Sequence, residues 1–260
     1  MTSRSESLPI EQQIVLVTGG ARGLGAHLVR AFLGQGARVV INYLSSKQAA
    51  EELAAQGNGR AVAIRADVFD RDAVQALVDT AEQHFGGPIT TVINNALPAF
   101  SFNGDERPHA DTLRWEHLSQ QLEGIVGGAL HTIQATRPGM VRAGFGRIVN
   151  IGTNLVQNPV VPYHDYTAAK AALLSLTRTM AHDLGPHGIT VNMISGGLLR
   201  TTDASSATPD AVFDLIANST PLRRVTTPAE FADTALFFAS PWARAVTGQN
   251  LVVDGGLVKN

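Results

Sequence analysis

Short apolar segments alternate with amphipathic segments along almost the whole chain. The apolar segments are typical of buried strands and lie at residues 14–17, 38–42, 61–65, 91–93, 147–151, 190–194 and 251–253. The segments between them repeat apolar residues with the period of a helix, at residues 24–35, 46–56, 70–85, 112–139, 165–184 and 228–239. The pattern therefore predicts strands and helices in regular alternation.

This alternation predicts the fold class. Continuous apolar strands separated by helices indicate a parallel sheet covered on both faces, and right-handed crossovers then give an α/β fold with a single doubly wound, Rossmann-type sheet. No linker, repeat or low-complexity segment divides the chain, so we expect one domain at residues 13–260 after a flexible arm at residues 1–12. Two longer stretches, residues 97–111 and 197–222, should border the substrate, because ligands bind at the carboxyl ends of parallel strands.

Composition and charge exclude several classes of function. A chain of 260 residues can bury a substantial core in one domain, and its formal net charge of −2 implies no attraction to nucleic acid or to an anionic membrane. The absence of cysteine excludes disulfides, thiolate catalysis and cysteine-ligated metals, and no metal site is predicted. The opening residues lack the apolar core of a signal peptide and no apolar run is long enough to span a membrane. We therefore expect a cytoplasmic protein.

A glycine-rich segment connects the first predicted strand to the first predicted helix. Strand, glycine turn and helix in this order are the context of a dinucleotide site, because glycines let the backbone approach a pyrophosphate at the helix N-terminus. We predict cofactor contacts from Gly19, Arg22, Gly23, Leu24 and Gly25. A glycine-rich turn without a ligand is the alternative interpretation.

Tyr166 and Lys170 lie four residues apart in a predicted helix, so they share one face of it. The pKa of a free tyrosine is about 10, and a neighbouring cation lowers it. A shift to near neutrality takes roughly 4 kcal/mol of differential interaction. Such a pair is frequent by chance on helix surfaces, but together with the glycine turn it predicts acid–base chemistry. Thr153, thirteen residues before the tyrosine, ends a predicted strand.

These motifs resemble the short-chain dehydrogenase/reductase family, and within it the 3-oxoacyl-carrier-protein reductases. The resemblance runs from about residue 12 to the C-terminus. Residues 94–96 are similar to the family's segment after its fourth strand, and residues 248–249 and 253–256 are similar to its C-terminal signature. The resemblance implies an NAD(P)-dependent oxidoreductase that interconverts a ketone and a secondary alcohol.

The resemblance also implies roles for four polar side chains. Tyr166 would donate a proton to the carbonyl oxygen, and Lys170 would lower the pKa of Tyr166 and bind the nicotinamide ribose. Thr153 stands where the family has a serine that holds the carbonyl oxygen, and its methyl group narrows the pocket. Gln121 stands where an asparagine holds a water in a proton relay. These departures, together with Leu97 in place of a glycine, keep open a dinucleotide-sensing protein without turnover.

The end of the second strand bears on the choice between NADP(H) and NAD(H). NAD-preferring members have an acidic residue there, which binds the ribose 2′-hydroxyl, whereas this chain has Tyr43. Ser45, Ser46 and Arg22 can bind a 2′-phosphate, so we predict NADP(H). Alternatively, the serines cap the next helix and the arginine is solvated. Further cofactor contacts implied by the resemblance are Asp67, Val68, Asn94, Ala96, Gly197, Leu198 and Thr201, in addition to Tyr166 and Lys170.

The substrate is predicted less sharply than the cofactor. Residues 97–111, 153–163 and 198–222 should form an apolar pocket, with Phe100, Phe102, Leu155, Val156, Leu198, Leu199 and Phe213 as its lining. This pocket favours a 3-oxoacyl thioester, linked to CoA or to a carrier protein. A different carbonyl compound, a sugar or a secondary-metabolite alcohol is the alternative. An acyl carrier protein as partner and a homotetrameric assembly are expected on the resemblance alone.

Overall fold

The computed structural model describes residues 7–100, 102–202, 205–206 and 208–259. Its strands are β1 (Ile14–Val17), β2 (Arg38–Tyr43), β3 (Ala61–Arg65), β4 (Thr91–Asn94), β5 (Gly146–Thr153), β6 (Ile189–Gly196) and β7 (Asn250–Val253). Its helices are α1 (Gly23–Gly34), α2 (Lys47–Ala55), α3 (Arg71–Phe85), α4 (Trp115–Leu122), α5 (Gly128–Ala143), α6 (His164–Leu184), α7 (Asp210–Ser219) and α8 (Pro228–Ala239). None of these described helices is long and apolar enough to cross a membrane.

All seven strands form one sheet in the order β3-β2-β1-β4-β5-β6-β7, and every neighbouring pair is parallel. The predicted fold class, a doubly wound Rossmann-type sheet with helices on both faces, is confirmed. The strand order reverses between β1 and β4, which opens a crevice at the carboxyl ends of the strands. The glycine turn and the ends of β4 and β5 all lie at this edge.

The core consists of two apolar layers, one on each face of the sheet. Val15 and Val17 of β1 pack into the layer that contains α1 and α8, whereas Ile14 and Leu16 pack into the layer that contains α3 and α5. Successive strand residues point to opposite faces, so a strand covered on both sides must be apolar throughout. This explains why the strands appear in the sequence as continuous apolar runs.

Two predicted elements differ from the structure. The helix expected at residues 112–139 is divided, because a π-helical segment at Glu123–Gly127 joins α4 to α5. A Cβ on Gly124 would lie 2.6 Å from Pro98 Cγ, so close packing requires glycine there, and glycine weakens a regular helix. The stretch 197–222, predicted to be irregular, contains α7. Of this helix, Phe213 is the residue described as buried, which gives too weak an apolar period to find it in the sequence.

The N-terminal segment is described from residue 7, so residues 1–6 of the predicted flexible arm lie outside the described part of the chain. Residues 10–12 form a single 3₁₀ turn. The side chain of Gln13 is buried and donates hydrogen bonds of 2.9 Å to the carbonyl oxygens of Leu8 and Ala239. These bonds connect the beginning of the described chain to the end of α8.

Candidate active site

The glycine turn between β1 and α1 is shaped by close backbone contacts. Gly19 and Gly23 have φ angles of 60° and 51°, in the left-handed region that favours glycine. A Cβ on Gly25 would lie 2.2 Å from the carbonyl oxygen of Gly19, which no side chain can tolerate. The turn therefore needs glycine at the positions that the sequence motif marks.

Polar side chains from neighbouring strands hold this turn in place. The Gly19 amide donates to Asn42 Oδ1 at 3.1 Å, and Asn95 Nδ2 donates to the carbonyl oxygen of Thr18 at 2.9 Å. The Thr18 hydroxyl in turn accepts hydrogen bonds from the amides of Asn95 and Ala96, at 2.9 and 3.0 Å. Asn42 and Asn95 were not predicted as site residues, although each ends or directly follows a buried strand at the ligand-binding edge.

Thr153, Tyr166 and Lys170 are brought together at the carboxyl end of β5 and the start of α6. The Thr153 hydroxyl lies close enough to the Tyr166 phenol to lower the pKa of that phenol by hydrogen bonding. Lys170 Nζ donates to the carbonyl oxygen of Ile151 at 2.6 Å and lies 5.6 Å from the centroid of the Tyr166 ring. All three side chains are buried. A hydroxyl, a phenol and an ammonium group thus share one desolvated site.

Burial dominates the electrostatics of this site. It raises the pKa of Tyr166 to about 12, which the hydrogen bond from Thr153 opposes and the charge of Tyr163 reinforces. Burial also lowers the pKa of Lys170 to about 8. Burial is the largest influence on the pKa of Tyr166 and raises it above the value of a free tyrosine. The expected lowering of this pKa by Lys170 stays a prediction. At neutral pH the phenol therefore carries a proton that it can donate.

A small cavity beside Lys170 is lined by residues from both halves of the crevice. Its lining includes Thr18, Val68, Asn94, Ala96 and Lys170. The structure thus brings together four of the residues expected to contact the cofactor. Asp67, the residue before Val68, accepts a hydrogen bond of 3.0 Å from the Phe69 amide through its side chain.

The side chain of Asn94 forms its hydrogen bonds with other buried side chains. Its Oδ1 accepts from the Thr132 hydroxyl at 2.6 Å and its Nδ2 donates to Asn150 Oδ1 at 2.8 Å. Asn150 Nδ2 then donates to the Thr177 hydroxyl at 2.9 Å. This buried chain ties β4 and β5 to α5 and α6. Asn94 consequently supports the site through the sheet, while its side chain faces away from solvent.

The loop after β6 is braced by the C-terminal segment. A Cβ on Gly197 would lie 3.0 Å from Asn154 Nδ2 and 3.1 Å from Asp254 Cβ, and Asn154 Nδ2 donates to Asp254 Oδ2 at 2.9 Å. Asn154 is therefore directed toward the C-terminal turn. Thr202 lies 4.0 Å from the position of a Cβ on Gly23, so this loop returns to the glycine turn. Thr201, a predicted cofactor contact, is exposed and precedes that point.

Comparison of the chain with known proteins identifies its family. Residues 19–258 match the family model described as enoyl-(acyl carrier protein) reductase. The chain is 34% identical over 261 residues to a short-chain type dehydrogenase/reductase of Picea abies, covering 95% of this chain and 92% of that protein. It is 31% identical over 251 residues to a 3-oxoacyl-(acyl-carrier-protein) reductase of Staphylococcus aureus, covering 93% and 96%. For the protein of that name in Synechocystis sp., identity is 32% over 256 residues, covering 95% and 97%.

The chain belongs to the short-chain dehydrogenase/reductase family. As a member of this family it is an NAD(P)-dependent oxidoreductase that uses a nicotinamide dinucleotide. The residues present fit such a cofactor. Within the described chain, α1 begins without a side-chain capping bond from its N-cap residue Arg22, and the glycines keep side chains away from its first turn. A pyrophosphate at this helix N-terminus would meet backbone amides and the positive end of the helix dipole.

At the end of β2, where the adenosine of the cofactor is predicted to bind, Tyr43 lies beside polar residues. Tyr43 is buried at the end of β2, Ser45 is exposed, and Ser46 is the N-cap of α2. The Ser46 side chain makes no capping hydrogen bond within the described chain, so the capping alternative has no support for this serine. Lys47 forms an exposed ion pair of 3.7 Å with Glu51.

Arg65 is a basic residue at this end that the sequence analysis missed. It ends β3, where it is the register partner of Tyr43 on β2. Its Nε donates to the carbonyl oxygen of Leu44 at 3.1 Å, and the side chain is exposed. The signal available in the sequence was a basic residue at the end of a strand, two positions before the predicted adenine contact Asp67.

Gln121 lies in the last turn of α4, directly before the π-helical segment. It is buried, and its Oε1 has no hydrogen-bond partner among the residues that the structure describes. A buried acceptor of this kind fits the binding of a water molecule. Gly124 and Ile125, which follow it, line the same cavity as Lys170. Its part in a proton relay stays a prediction.

The predicted apolar pocket is found in part. Phe100, Phe102, Leu155 and Val156 pack around Tyr166 in one apolar cluster. Leu199 belongs instead to the core layer of α1 and α8, so its assignment to the pocket lining is wrong. Phe213 is buried beneath the guanidinium of Arg200, whose central carbon lies 4.9 Å from the ring centroid.

Proposed function

We propose that this protein is an NADPH-dependent reductase that converts a 3-oxoacyl thioester, linked to CoA or to a carrier protein, to the 3-hydroxyacyl thioester. The observation that carries the proposal is the juxtaposition of the Thr153 hydroxyl and the Tyr166 phenol in a buried site that also holds Lys170. Two hydroxyl groups that meet can bind one carbonyl oxygen between them, and desolvation strengthens both bonds.

In the proposed mechanism, Thr153 orients the carbonyl oxygen and Tyr166 donates its proton to that oxygen. The pKa of Tyr166, raised to about 12 by burial, keeps the phenol protonated at neutral pH, which suits the reductive direction. A nicotinamide dinucleotide held at the glycine turn would supply the hydride for the carbonyl carbon. Lys170 stabilises the phenolate that remains, and Gln121 would hold the water through which the phenol regains a proton.

The proposed preference for NADPH rests on the lack of a carboxylate at the end of β2 and on the hydrogen-bond donors around it. Tyr43 places no carboxylate there, and Arg65 together with Ser45 and Ser46 offers hydrogen-bond donors to a 2′-phosphate. Arg22, at the start of α1, is a further donor in this proposal.

The thioester substrate is supported by the apolar cluster around Tyr166 and by the names of the relatives from Staphylococcus aureus and Synechocystis sp.. An acyl carrier protein as partner, a homotetramer and a cytoplasmic location follow from the family resemblance and remain predictions. Reduction of another ketone by the same residues is the second candidate, because the cluster itself selects only for apolar character.

The test is oxidation of NADPH and of NADH in parallel against acetoacetyl-CoA, crotonyl-CoA and simple ketones. We expect turnover of acetoacetyl-CoA with NADPH as the better cofactor. Crotonyl-CoA is included because the matching family model is named for an enoyl reductase. Turnover of crotonyl-CoA or of simple ketones alone would overturn the proposed substrate. Tight binding of NADPH without oxidation in any arm would support the dinucleotide-sensing alternative.

A further inference from the structure

The loop between β4 and α4 lies directly against the catalytic tyrosine. It is described at residues 97–100 and 102–111. The ring centroid of Phe100 lies 4.9 Å from that of Tyr166 with the planes tilted by 34°, and the centroid of Phe102 lies 5.5 Å away at 79°. Both distances are in the range of favourable aromatic pairs. Phe100 and Phe102, which also contact each other at 4.8 Å, form an aromatic wall on Tyr166.

Two contacts attach this loop to the first turn of α6. The amide of Gly104 donates to Tyr163 Oη at 2.9 Å. Arg107 Nη2 donates to Asp165 Oδ2 at 2.5 Å, and these side chains are only 17% and 6% exposed. Asp165 directly precedes Tyr166 in the chain, so this ion pair, which we call the clasp, joins the loop to the helical turn that carries the phenol.

The clasp also supports the aromatic wall. The guanidinium carbon of Arg107 lies 4.2 Å from the centroid of the Phe100 ring, whose neighbour is Tyr166. The contacts thus run from Asp165 through Arg107 and Phe100 to Tyr166. A buried ion pair is costly to desolvate, and removing one partner leaves an uncompensated charge. A change in the clasp is therefore expected to move the wall and the phenol together.

The charge and size of the wall limit what can bind beside it. Asp165 neutralises Arg107, and the described side chains of the loop that contact the Tyr166 ring are the two rings of the wall. Tyr166 is 7% exposed and both rings lie against it, so little open surface remains beside the phenol. A substituent that contacts this wall must be uncharged and apolar, and it must be small.

We propose that the aromatic wall is the specificity-determining surface for the substituent beyond the reacting carbonyl, and that Arg107 and Asp165 are positioning residues that hold it. The substrate class is a carbonyl compound with a short, uncharged apolar substituent, such as a short-chain 3-oxoacyl thioester. This inference rests on the proposed reductase function.

The first experiment compares kcat/KM for acetoacetyl-CoA and 3-oxooctanoyl-CoA in Phe100→Ala, with Phe237→Ala as the control. Phe237 is a partly exposed ring on α8 whose aromatic neighbour is Phe238 rather than a residue of the wall. We expect Phe100→Ala to shift the ratio of the two kcat/KM values toward the longer substrate by roughly tenfold or more. Phe100→Leu should shift it less. An unchanged ratio in both Phe100 variants would overturn the role of the wall.

The second experiment breaks the clasp with Arg107→Met and with Asp165→Asn. Arg114→Met is the matched control, since it removes an exposed ion pair of 3.7 Å with Glu116 just after the same loop. We expect each clasp variant to lower kcat on the order of tenfold or more, because small displacements at a reacting group have large effects. The dissociation constant of NADPH should not change, and the double variant should lose little more than either single one.

Hydrogen exchange at the Gly104 amide provides a readout that needs no turnover. In the clasp variants this amide should exchange faster than in Arg114→Met, because its bond to Tyr163 depends on the loop. Restored kcat in the exchanged pair, Arg107→Asp with Asp165→Arg, would support the positioning role. Exchange and kcat indistinguishable from the Arg114→Met control would overturn it.

Failure of this inference differs from failure of the proposed function. If the unaltered protein turns over no carbonyl compound, the proposed function and the specificity wall are both overturned. If it reduces acetoacetyl-CoA and the Phe100 and clasp variants behave as their controls, the proposed function stands and the inference alone is wrong.

Discussion

The two halves of the crevice are held together by different kinds of contact. On the side proposed to hold the cofactor, backbone groups dominate: the carbonyl oxygen of Gly19 lies 2.2 Å from where a Cβ on Gly25 would be, and Asn42 and Asn95 bind the turn through its amides and carbonyls. On the side proposed to hold the substrate, side chains contact side chains, as in Phe100 on Tyr166 and Arg107 on Asp165. Backbone-dictated contacts allow few residue types, whereas stacked side chains can change in size. The class of cofactor is therefore easier to predict from the sequence than the substrate.

The largest effect is expected where the two halves meet, at Tyr166. Tyr166→Phe removes the proposed proton donor and keeps a ring in the aromatic cluster. We expect kcat to fall by about 10² to 10⁴-fold, the usual contribution of general acid catalysis, with little change in the dissociation constant of NADPH. Steady-state kinetics and cofactor titration measure the two quantities.

Tyr163→Phe is the control for this change. It removes a neighbouring phenol of the same cluster and, with it, the bond from the Gly104 amide that attaches the loop, so we expect a smaller loss of kcat, on the order of that in the clasp variants. A comparable loss of kcat in both variants would contradict the assignment of Tyr166 as the proton donor.

The next prediction concerns the burial of the Lys170 ammonium group, which lies where the two halves of the crevice meet. Burial lowers the pKa of Lys170 to about 8, and an unfolded lysine titrates at about 10.4. Below pH 8, Lys170 is protonated in the folded and in the unfolded protein, and the cost of burying its ammonium group is fully present. As the pH rises between the two values, the unfolded state binds more protons, so this group makes the folded state more stable by about 3 kcal/mol.

Lys170→Met should remove this pH dependence. Urea unfolding of both proteins across that alkaline range measures the difference in unfolding free energy, which should move in favour of the lysine form as the pH rises. The raised pKa of Tyr166, about 12, affects the unfolding free energy only at higher pH. There, Tyr166 loses its proton in the unfolded protein before it does so in the folded protein. A difference that stays constant with pH would show that Lys170 is not desolvated as described.

Gly25→Ala tests the backbone contacts of the cofactor side. The added Cβ would meet the Gly19 carbonyl at 2.2 Å, so we expect a loss of about 1–3 kcal/mol in unfolding free energy and weaker NADPH binding. Gly34→Ala in the same helix is the control, because a Cβ there meets nothing within 4 Å among the described residues and should stabilise the helix by about 0.5–1 kcal/mol. Equal effects of the two substitutions would contradict the packing argument.

The smallest effect is expected at the exposed adenosine end, where solvent weakens each contact. Arg65→Ala should reduce the preference for 2′,5′-ADP over 5′-AMP by roughly tenfold, as for the loss of one charged hydrogen bond. Isothermal titration measures both affinities. Arg60→Ala, which removes an arginine just before the other end of β3, should leave the preference unchanged. The same result in both variants would exclude Arg65 from the phosphate site.

The sequence by itself determined the architecture and the approximate position of the site. All seven strands and α6 were predictable, because the period of a strand or helix is a local property of the chain. The glycine turn was predictable because the φ angles of Gly19 and Gly23 favour one residue type. The spacing from Tyr166 to Lys170 likewise placed both side chains on one face of a helix.

Only the tertiary structure decided how the site is tuned. The pKa of Tyr166 rises because rings distant in sequence desolvate it, and no local pattern contains that information. The Arg107–Asp165 pair joins residues 58 positions apart, and Arg65 reaches Tyr43 through strand register. Local period and turn chemistry are set by neighbours along the chain. Desolvation and charge pairing depend on which segments the fold brings into contact.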